Sequence, residues 1–355
     1  MLTRFVLGRT VRLGAMAAAV LAVSCGGDSG GGGTAAAPII PLQPTMVQIT
    51  AANQDAVARA TVATFFTMGS VEVLPTAAPD PAKAMADTVS AVPIYVLGKA
   101  VAPVQGSSNR ASRLAVVSQT EACPGGGSMT TTIDDRDNNA VLSAGDAMTF
   151  AFNQCRDDVS TMLNGTLAMG IASVTQSATA TQMSGAFTFQ QLVVVDGSYT
   201  SSMNGVMNTT YTETSSPTGT TIRLDATVTP GGFVAQGSTP TVNDTFTYDG
   251  GFVAVAIEFI PISSATVGWS TTALNGTVLV ASLGGRLTLV TDPTTAVHQT
   301  STALHPDTGQ VLVQGNASRL RLTVMITDSV RSELDANNDG TYESTKELTW
   351  AQLLP

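Results

Sequence analysis

Charge is scarce in this sequence. Only 12% of its 355 residues are Asp, Glu, Lys or Arg, about half the share that soluble domains carry. Aromatics make up 5%, and there are two histidines, two tryptophans and three cysteines. Each shortage removes a class of function. No basic patch interleaved with aromatics exists, so nucleic acid is excluded as the expected partner. HExxH, P-loop and strand-linked GxGxxG patterns are missing. A CxxC redox pair is missing as well. After the first 24 residues no apolar run is long enough to cross a bilayer as a helix.

What is present begins with an address. Arg4, Arg9 and Arg12 precede the uncharged run Leu13–Val23, which is too short for a spanning helix and suits a secretory signal. The motif "LAVSC", with Cys25 last, resembles the lipobox of bacterial lipoproteins. That resemblance implies a signal peptide over 1–24, lipidation of Cys25 and attachment to a membrane through the N-terminal lipid. Gly26 and Gly27 follow the cysteine, where an Asp would imply inner-membrane retention in such lipoproteins. The implied location is therefore the outer membrane, facing the periplasm or the cell surface. Residues 25–45 are Gly- and Ala-rich and read as a flexible tether. Loss of the three arginines with 1–24 leaves a formal charge of −13 on the remainder, which disfavours lying flat on anionic lipid.

With Cys25 assigned to lipid, Cys123 and Cys155 remain, and two thiols in an oxidising compartment are expected to pair. Residues 46–112 read as a helical segment. Thr50 is a candidate cap, Ala51, Ala58, Val62 and Phe65 recur at helical spacing, and a second stretch over Pro81–Val101 is broken at Pro93. After Gly125 the pattern turns to Thr-, Val- and Phe-rich runs that alternate with period two, separated by "SSPTG", "TPGG", "DPTT" and "HPDTG". The expected fold is α+β and mainly β: an N-terminal helical segment packed on a large antiparallel β domain over 113–355, as a curved sheet, half-barrel or sandwich. Asn-Gly recurs at Asn164-Gly165, Asn204-Gly205 and Asn275-Gly276, with a related "VQGNA" at Gly315. Such dipeptides mark either hairpin turns or bulges in long strands.

Two acidic stretches carry metal-ligand spacing. "DRDNNAVLSAGD" places oxygen donors Asp135, Asp137, Asn139, Ser143 and Asp146 at positions 1, 3, 5, 9 and 12, with the Val141 carbonyl at 7. This resembles EF-hand-type calcium loops, dockerin loops especially, although Ala140 stands where that family has Gly. "DANNDGTYE" places Asp335, Asn337, Asp339, the Thr341 carbonyl and Glu343 at 1, 3, 5, 7 and 9, and keeps the glycine as Gly340. It resembles the DxDxDGxxD hairpin loops of integrin-type propellers. Both resemblances imply structural Ca²⁺; a plain polar turn is the alternative. If Ser128–Ile133 pairs with Ala147–Phe152 so that Ile133 faces Ala147, Cys123 and Cys155 fall nearly opposite each other.

The wider pattern "C-P-G-G-G…D-x-D-N-N…L-S-A-G-D…C…L-N-G", ending "ELDANNDGTYE…LTW", resembles a group of uncharacterised lipoproteins of Gram-negative bacteria. It implies no activity, substrate or catalytic residue. His298 and His305 read as loop histidines, and Trp269 and Trp350 as core or sheet-face residues with a sugar platform as the other reading. Three roles compete. A non-catalytic envelope protein with a structural or binding role comes first, then a carrier of an apolar ligand, then a hydrolase with an unrecognised site.

Overall fold

The computed structural model describes residues 45–69, 116–139, 143–156, 161–196, 199–238, 243–263, 266–303 and 305–353. The expected signal peptide over 1–24, Cys25, the expected tether up to residue 44 and the helical stretch Pro81–Val101 lie outside the described residues. Helix α1 spans Gln54–Gly69 and a short α2 spans Trp350–Leu353. Among the described residues, sixteen strands form one antiparallel sheet. They are β1 Val116–Ala122, β2 Gly126–Asp134, β3 Ala147–Arg156, β4 Thr161–Gln176, β5 Ala180–Asp196, β6 Tyr199–Ser215, β7 Gly219–Ser238 and β8 Asn243–Tyr248, then β9 Val253–Pro261, β10 Trp269–Val280, β11 Gly285–Val290, β12 Val297–Thr300, β13 Gly309–Gly315, β14 Ser318–Met325, β15 Ser329–Asp335 and β16 Ser344–Thr349. The mainly-β architecture expected from the sequence is the one observed.

Neighbours in the sheet follow chain order, with two interruptions. Strands β8 and β9 lie end to end, both between β7 and β10. Strands β11 and β12 lie end to end along the other side of β10. Each end-to-end pair is one long strand broken by a loop, and the breaks share a cause with irregularities elsewhere in the sheet.

That cause is a row of bulges crossing the strands. Strand β3 inserts extra backbone near Gln154 against Gly127 and Gly165. Strand β5 does so at Gln191 against Gly165 and Gly205. Strand β7 does so at Thr229–Gly232 against Gly205. Gln154 and Gln191 both sit at φ 48°, the left-handed region that an L-residue adopts at a cost. The asparagines pin these corners. Asn164 Oδ1 accepts from Gln154 N and Asn204 Oδ1 from Gln191 N, both at 3.4 Å, and Asn275 Oδ1 accepts from Thr291 N at 3.2 Å. All three Asn-Gly pairs thus lie inside strands, and none turns a hairpin. "TPGG" is likewise the β7 bulge and not a loop between strands. Gly315 differs: a Cβ there would strike the backbone of Val47, which passes across the end of β13.

Each insertion reverses the strand's in/out alternation, because the side-chain period is two. Phe150 and Phe152 are buried before the β3 bulge, and Cys155 after it. Phe187 and Phe189 give way to Leu192 and Val194 in β5, and Val228 to Phe233 and Ala235 in β7. The reversal keeps apolar side chains on the core side of both halves while the bulges bend the strands. An aromatic string, Phe189–Phe233–Tyr248–Phe252, fills the core along this row, with centroid separations of 5.3, 5.9 and 5.0 Å.

Helix α1 packs on β9, β10, β14 and β15. It begins at Gln54 rather than after Thr50: Asn53 O accepts from Val57 N, and Asn53 Oδ1 accepts from Thr50 N at 2.8 Å. Burial reaches most of its circumference, as for a helix enclosed by a core. Thr61, Thr64 and Thr67 are buried and donate their hydroxyls to carbonyls four residues back, at 2.7–2.8 Å, which removes the cost of burying them. Buried Gln54 donates to Ser332 O at 3.0 Å and accepts from Ser344 Oγ at 3.1 Å, fastening the helix start to β15 and β16.

Cys123 and Cys155 form a disulfide with Cα atoms 5.4 Å apart. The pairing agrees with expectation, but its route does not. Ile133 faces Met148, one residue away from the expected Ala147, and Cys123 lies in the turn between β1 and β2. Strand β1, inside the expected β domain over 113–355 but ahead of the period-two runs that follow Gly125, carries the chain into that turn. The bridge therefore joins the β1–β2 turn to the β3 bulge. A closed loop of 32 residues contributes roughly 3–4 kcal/mol in the chain-entropy view.

Substitution at the corners separates steric from hydrogen-bond effects. A Cβ at Gly165, at φ 106°, would overlap the Gln191 carbonyl oxygen. Gly165→Ala is expected to cost about 2–4 kcal/mol. Asn164→Ala, which loses one long hydrogen bond, is expected to cost under about 1 kcal/mol. Urea unfolding of both variants checks the order; equal losses would contradict it.

Candidate metal centres

The two acidic loops close two hairpins, β2–β3 and β15–β16. In each, three carboxylates converge: Asp135, Asp137 and Asp146 in the first, Asp335, Asp339 and Glu343 in the second, with one oxygen from each lying within 4.8 Å of the others. Either cluster can hold a metal ion.

The loops share one backbone plan. The residue at position 4 is left-handed in both, Asn138 at φ 60° and Asn338 at φ 59°. The position-5 N–H donates to the side-chain oxygens at positions 1 and 3. Asn139 N donates to Asp135 and Asp137 at 3.2 Å each; Asp339 N donates to Asp335 and Asn337 at 3.1 Å each. Alternate side chains are thereby turned to the same side of a tight loop.

In the first loop Asp146 is the anchor and is 2% exposed. It accepts from Arg136 N at 3.0 Å and from Ser143 N at 2.7 Å. Ser143 Oγ donates to Asp137 at 3.0 Å and Asn139 Nδ2 donates to it at 2.7 Å. The Arg136 guanidinium turns outward to Asp134 at 3.2 Å. Gly145 N donates to Ile171 O and Ile171 N to Asp146 O, fixing the loop on β4. Val141, the expected carbonyl ligand, lies outside the described residues.

The second loop contains its own cation. Asp335 is fully buried and accepts from Arg319 Nε at 2.9 Å and Arg319 Nη2 at 2.8 Å. It also accepts from Gly340 N at 2.9 Å, and Gly340 at φ 97° is the residue that supplies this bond. Burial pushes the Asp335 carboxyl up, but the Gly340 N–H, the Arg319 guanidinium and the Asp339 N–H together outweigh it and hold it below the usual carboxylate range. Asp339 is held low by bonds from Thr341 N, Asn337 and the Thr341 hydroxyl. Asn337 Nδ2 reaches Asp339 at 3.0 Å, and Glu343 accepts from Ala336 N at 2.9 Å. Tyr342 lies over Arg321, 4.1 Å from guanidinium carbon to ring centroid, and Arg321 pairs with Glu333 at 2.8 Å. Arg319 and Arg321 gave no sign in the sequence, because they belong to β14, before the loop begins.

Both histidines are engaged by carboxylates. His298 Nδ1 lies 2.6 Å from Asp307, and His305 Nδ1 2.9 Å from Asp328. Trp269 stacks between Phe259 and His298 on the sheet face; Trp350 is buried and stacks on His305 at 5.1 Å. Among the described residues no serine hydroxyl bonds to His298. An apolar cavity between α1 and β13–β15, lined by Val62, Phe65, Leu322 and Trp350 among others, has a volume of about 30 Å³. No known protein family, curated protein or solved structure matches this chain.

The depressed carboxylates set an acid limit on stability. Asp335, Asp339 and Glu333 have folded values below their unfolded ones. They stabilise above the unfolded carboxylate pKa of about 4, and that stability is lost as pH falls through their folded values. Arg319→Met is expected to be less stable than the native chain at pH 7. The gap should close as pH falls towards about 2. Thermal melting across pH checks this, and a gap constant with pH would contradict it.

Proposed function

We propose that the protein is a non-catalytic, lipid-anchored envelope lipoprotein of the outer membrane, with a structural or binding role, and that its acidic loops take Ca²⁺. The observation that carries this reading is the same oxygen-only loop built twice. Carboxylate and amide oxygens without imidazole or thiolate select hard cations. A flexible loop that offers many oxygens suits calcium better than the rigid octahedron of magnesium. When bound, the ion supplies positive charge against the mutual repulsion of the three carboxylates. The chain's residues do the remaining work: the position-5 N–H orients two side chains, and Ser143 and Arg136 N hold Asp146 in place. The second loop has Arg319 on Asp335, so calcium contributes less there than in the first.

The lipobox-like "LAVSC" supports anchoring at Cys25, and the Cys123–Cys155 disulfide suits an oxidising compartment. The carrier reading gains nothing from the cavity beside α1, which is an order of magnitude below ligand size. Asp-bound histidines resemble two-thirds of a catalytic triad, and among the described residues no serine hydroxyl is hydrogen-bonded to His298.

Loops of extracellular modules bind calcium at about 10⁻⁴–10⁻³ M. Ca²⁺ at about tenfold over Kd should add roughly 1.4 kcal/mol and raise Tm by a few degrees. Asp146→Asn should remove most of that shift and Asp339→Asn less. An unchanged Tm in about 10 mM Ca²⁺, tenfold over the weakest expected Kd, would overturn the calcium assignment. Mass spectrometry of the envelope-extracted protein should find acyl chains on Cys25, and an unmodified Cys25 would overturn the anchor.

A further inference from the structure

The outer face of the sheet carries an open trough of about 490 Å³ across β3–β7. Its floor is made of small and neutral polar groups, among them Gly170, Ser184, Ala186, Asn208, Thr210 and Thr227. Cross-strand pairing places Gly170, Ala186, Asn208 and Thr227 in one row, and Ser184, Thr210 and Asp225 in the next. The rows continue beyond the trough. Asp225 faces Val255 and Thr221 faces Phe259, while Phe259 faces Trp269. Because partners share a face and residues two apart along a strand share it too, the Phe259–Trp269–His298 row lies on the same face as the trough.

Those three rings are near parallel. Phe259 and Trp269 are 5.9 Å apart at 25°, and Trp269 and His298 are 6.0 Å apart at 27°. Asp307 fixes the imidazole through Nδ1, which turns Nε2 away from the carboxylate, and the His298 side chain is 30% exposed. Val267, 51% exposed, and Ile262, 73% exposed, flank the row in the β9–β10 turn.

We propose that this face binds a neutral polysaccharide, with sugar rings against the aromatic row and hydroxyls bonded along the trough. The inference rests on the reading of the chain as a non-catalytic binding protein and names its ligand class. Three observations decide the class. The charges in and beside the trough are compensated: Asp225 pairs with Arg223 at 2.6 Å, Arg136, which lines the trough, pairs with Asp134 at 3.2 Å, and Asp146 is buried and hydrogen-bonded within its loop. This disfavours acidic polymers and anionic lipid. The floor offers hydroxyls and an amide in place of an apolar lining, which disfavours an acyl chain. The strands beneath it are paired on both sides, so an added peptide strand finds no free backbone edge there.

Isothermal titration calorimetry of the full-length mature protein in excess Ca²⁺ tests this, with cellohexaose, chitohexaose and maltohexaose as neutral probes and an oligogalacturonate as the acidic control. At least one neutral hexasaccharide should saturate the protein. The probe that does so distinguishes plain glucan from N-acetylated glycan. Trp269→Ala should weaken that binding at least roughly tenfold. So should Gly170→Phe, because a Cβ at Gly170 meets nothing within 4 Å and the ring would fill the trough. Tm reports whether each variant folds, and Trp269→Leu replaces Trp269→Ala if the latter melts early. No heat from any neutral probe at millimolar concentration, binding of the acidic oligomer alone, or native affinity in both variants would overturn the proposal. The calcium-dependent Tm shift is a separate readout, so loss of one reading leaves the other standing.

Discussion

The structure depends on one backbone constraint: extra residues in alternate strands must find room against glycine in their neighbours. Strands β3, β5 and β7 do not stay regular along their length. The insertions at Gln154, Gln191 and Thr229–Gly232 bend them. Gly165 and Gly205 accept the displaced carbonyls because they have no Cβ. The parity reversal then brings Leu192, Val194 and Phe233 to the side already occupied by Phe189 and Val228. Without it, half of each strand would present its apolar residues to water. The breaks between β8 and β9 and between β11 and β12 extend the same line, with Asn275-Gly276 in the strand between them.

Much of this was legible in the sequence, and what was not has physical reasons. The period-two runs of β2, β3, β5, β7, β9, β13 and β14 stand out because one face is apolar. Strand β6, "YTSSMNGVMNTTYTETS", does not: of its core-facing positions only Met203 and Met207 are large, apolar and buried. The Asn-Gly repeat is visible, but a hairpin and a bulge make the same local demand, a glycine at positive φ. Only the partner strand decides between them. The disulfide was deducible from cysteine count alone, whereas its route needed β1, whose "VVSQTEA" alternates weakly.

The two loops show what a motif can and cannot specify. Spacing correctly placed Asp135, Asp137 and Asp146 together, and Asp335, Asp339 and Glu343 together. It carried no information about compensation. In the second loop a guanidinium from β14 already neutralises the buried Asp335. In the first, the Arg136 guanidinium pairs with Asp134, outside the three converging carboxylates. Two loops with one backbone plan thus have different electrostatic needs, and the difference originates in a strand distant in sequence.

The central claim, that inserted residues set the side-chain parity of the sheet, is tested most directly by deleting Gln191 and measuring amide hydrogen exchange. Removing one residue restores regular pairing of β5 but turns Leu192 and Val194 to the opposite face. The account predicts loss of exchange protection over Leu192–Asp196 and over the facing segments of β4 and β6, with protection retained in β14–β16. Native protection throughout, with the deletion absorbed silently, would contradict it.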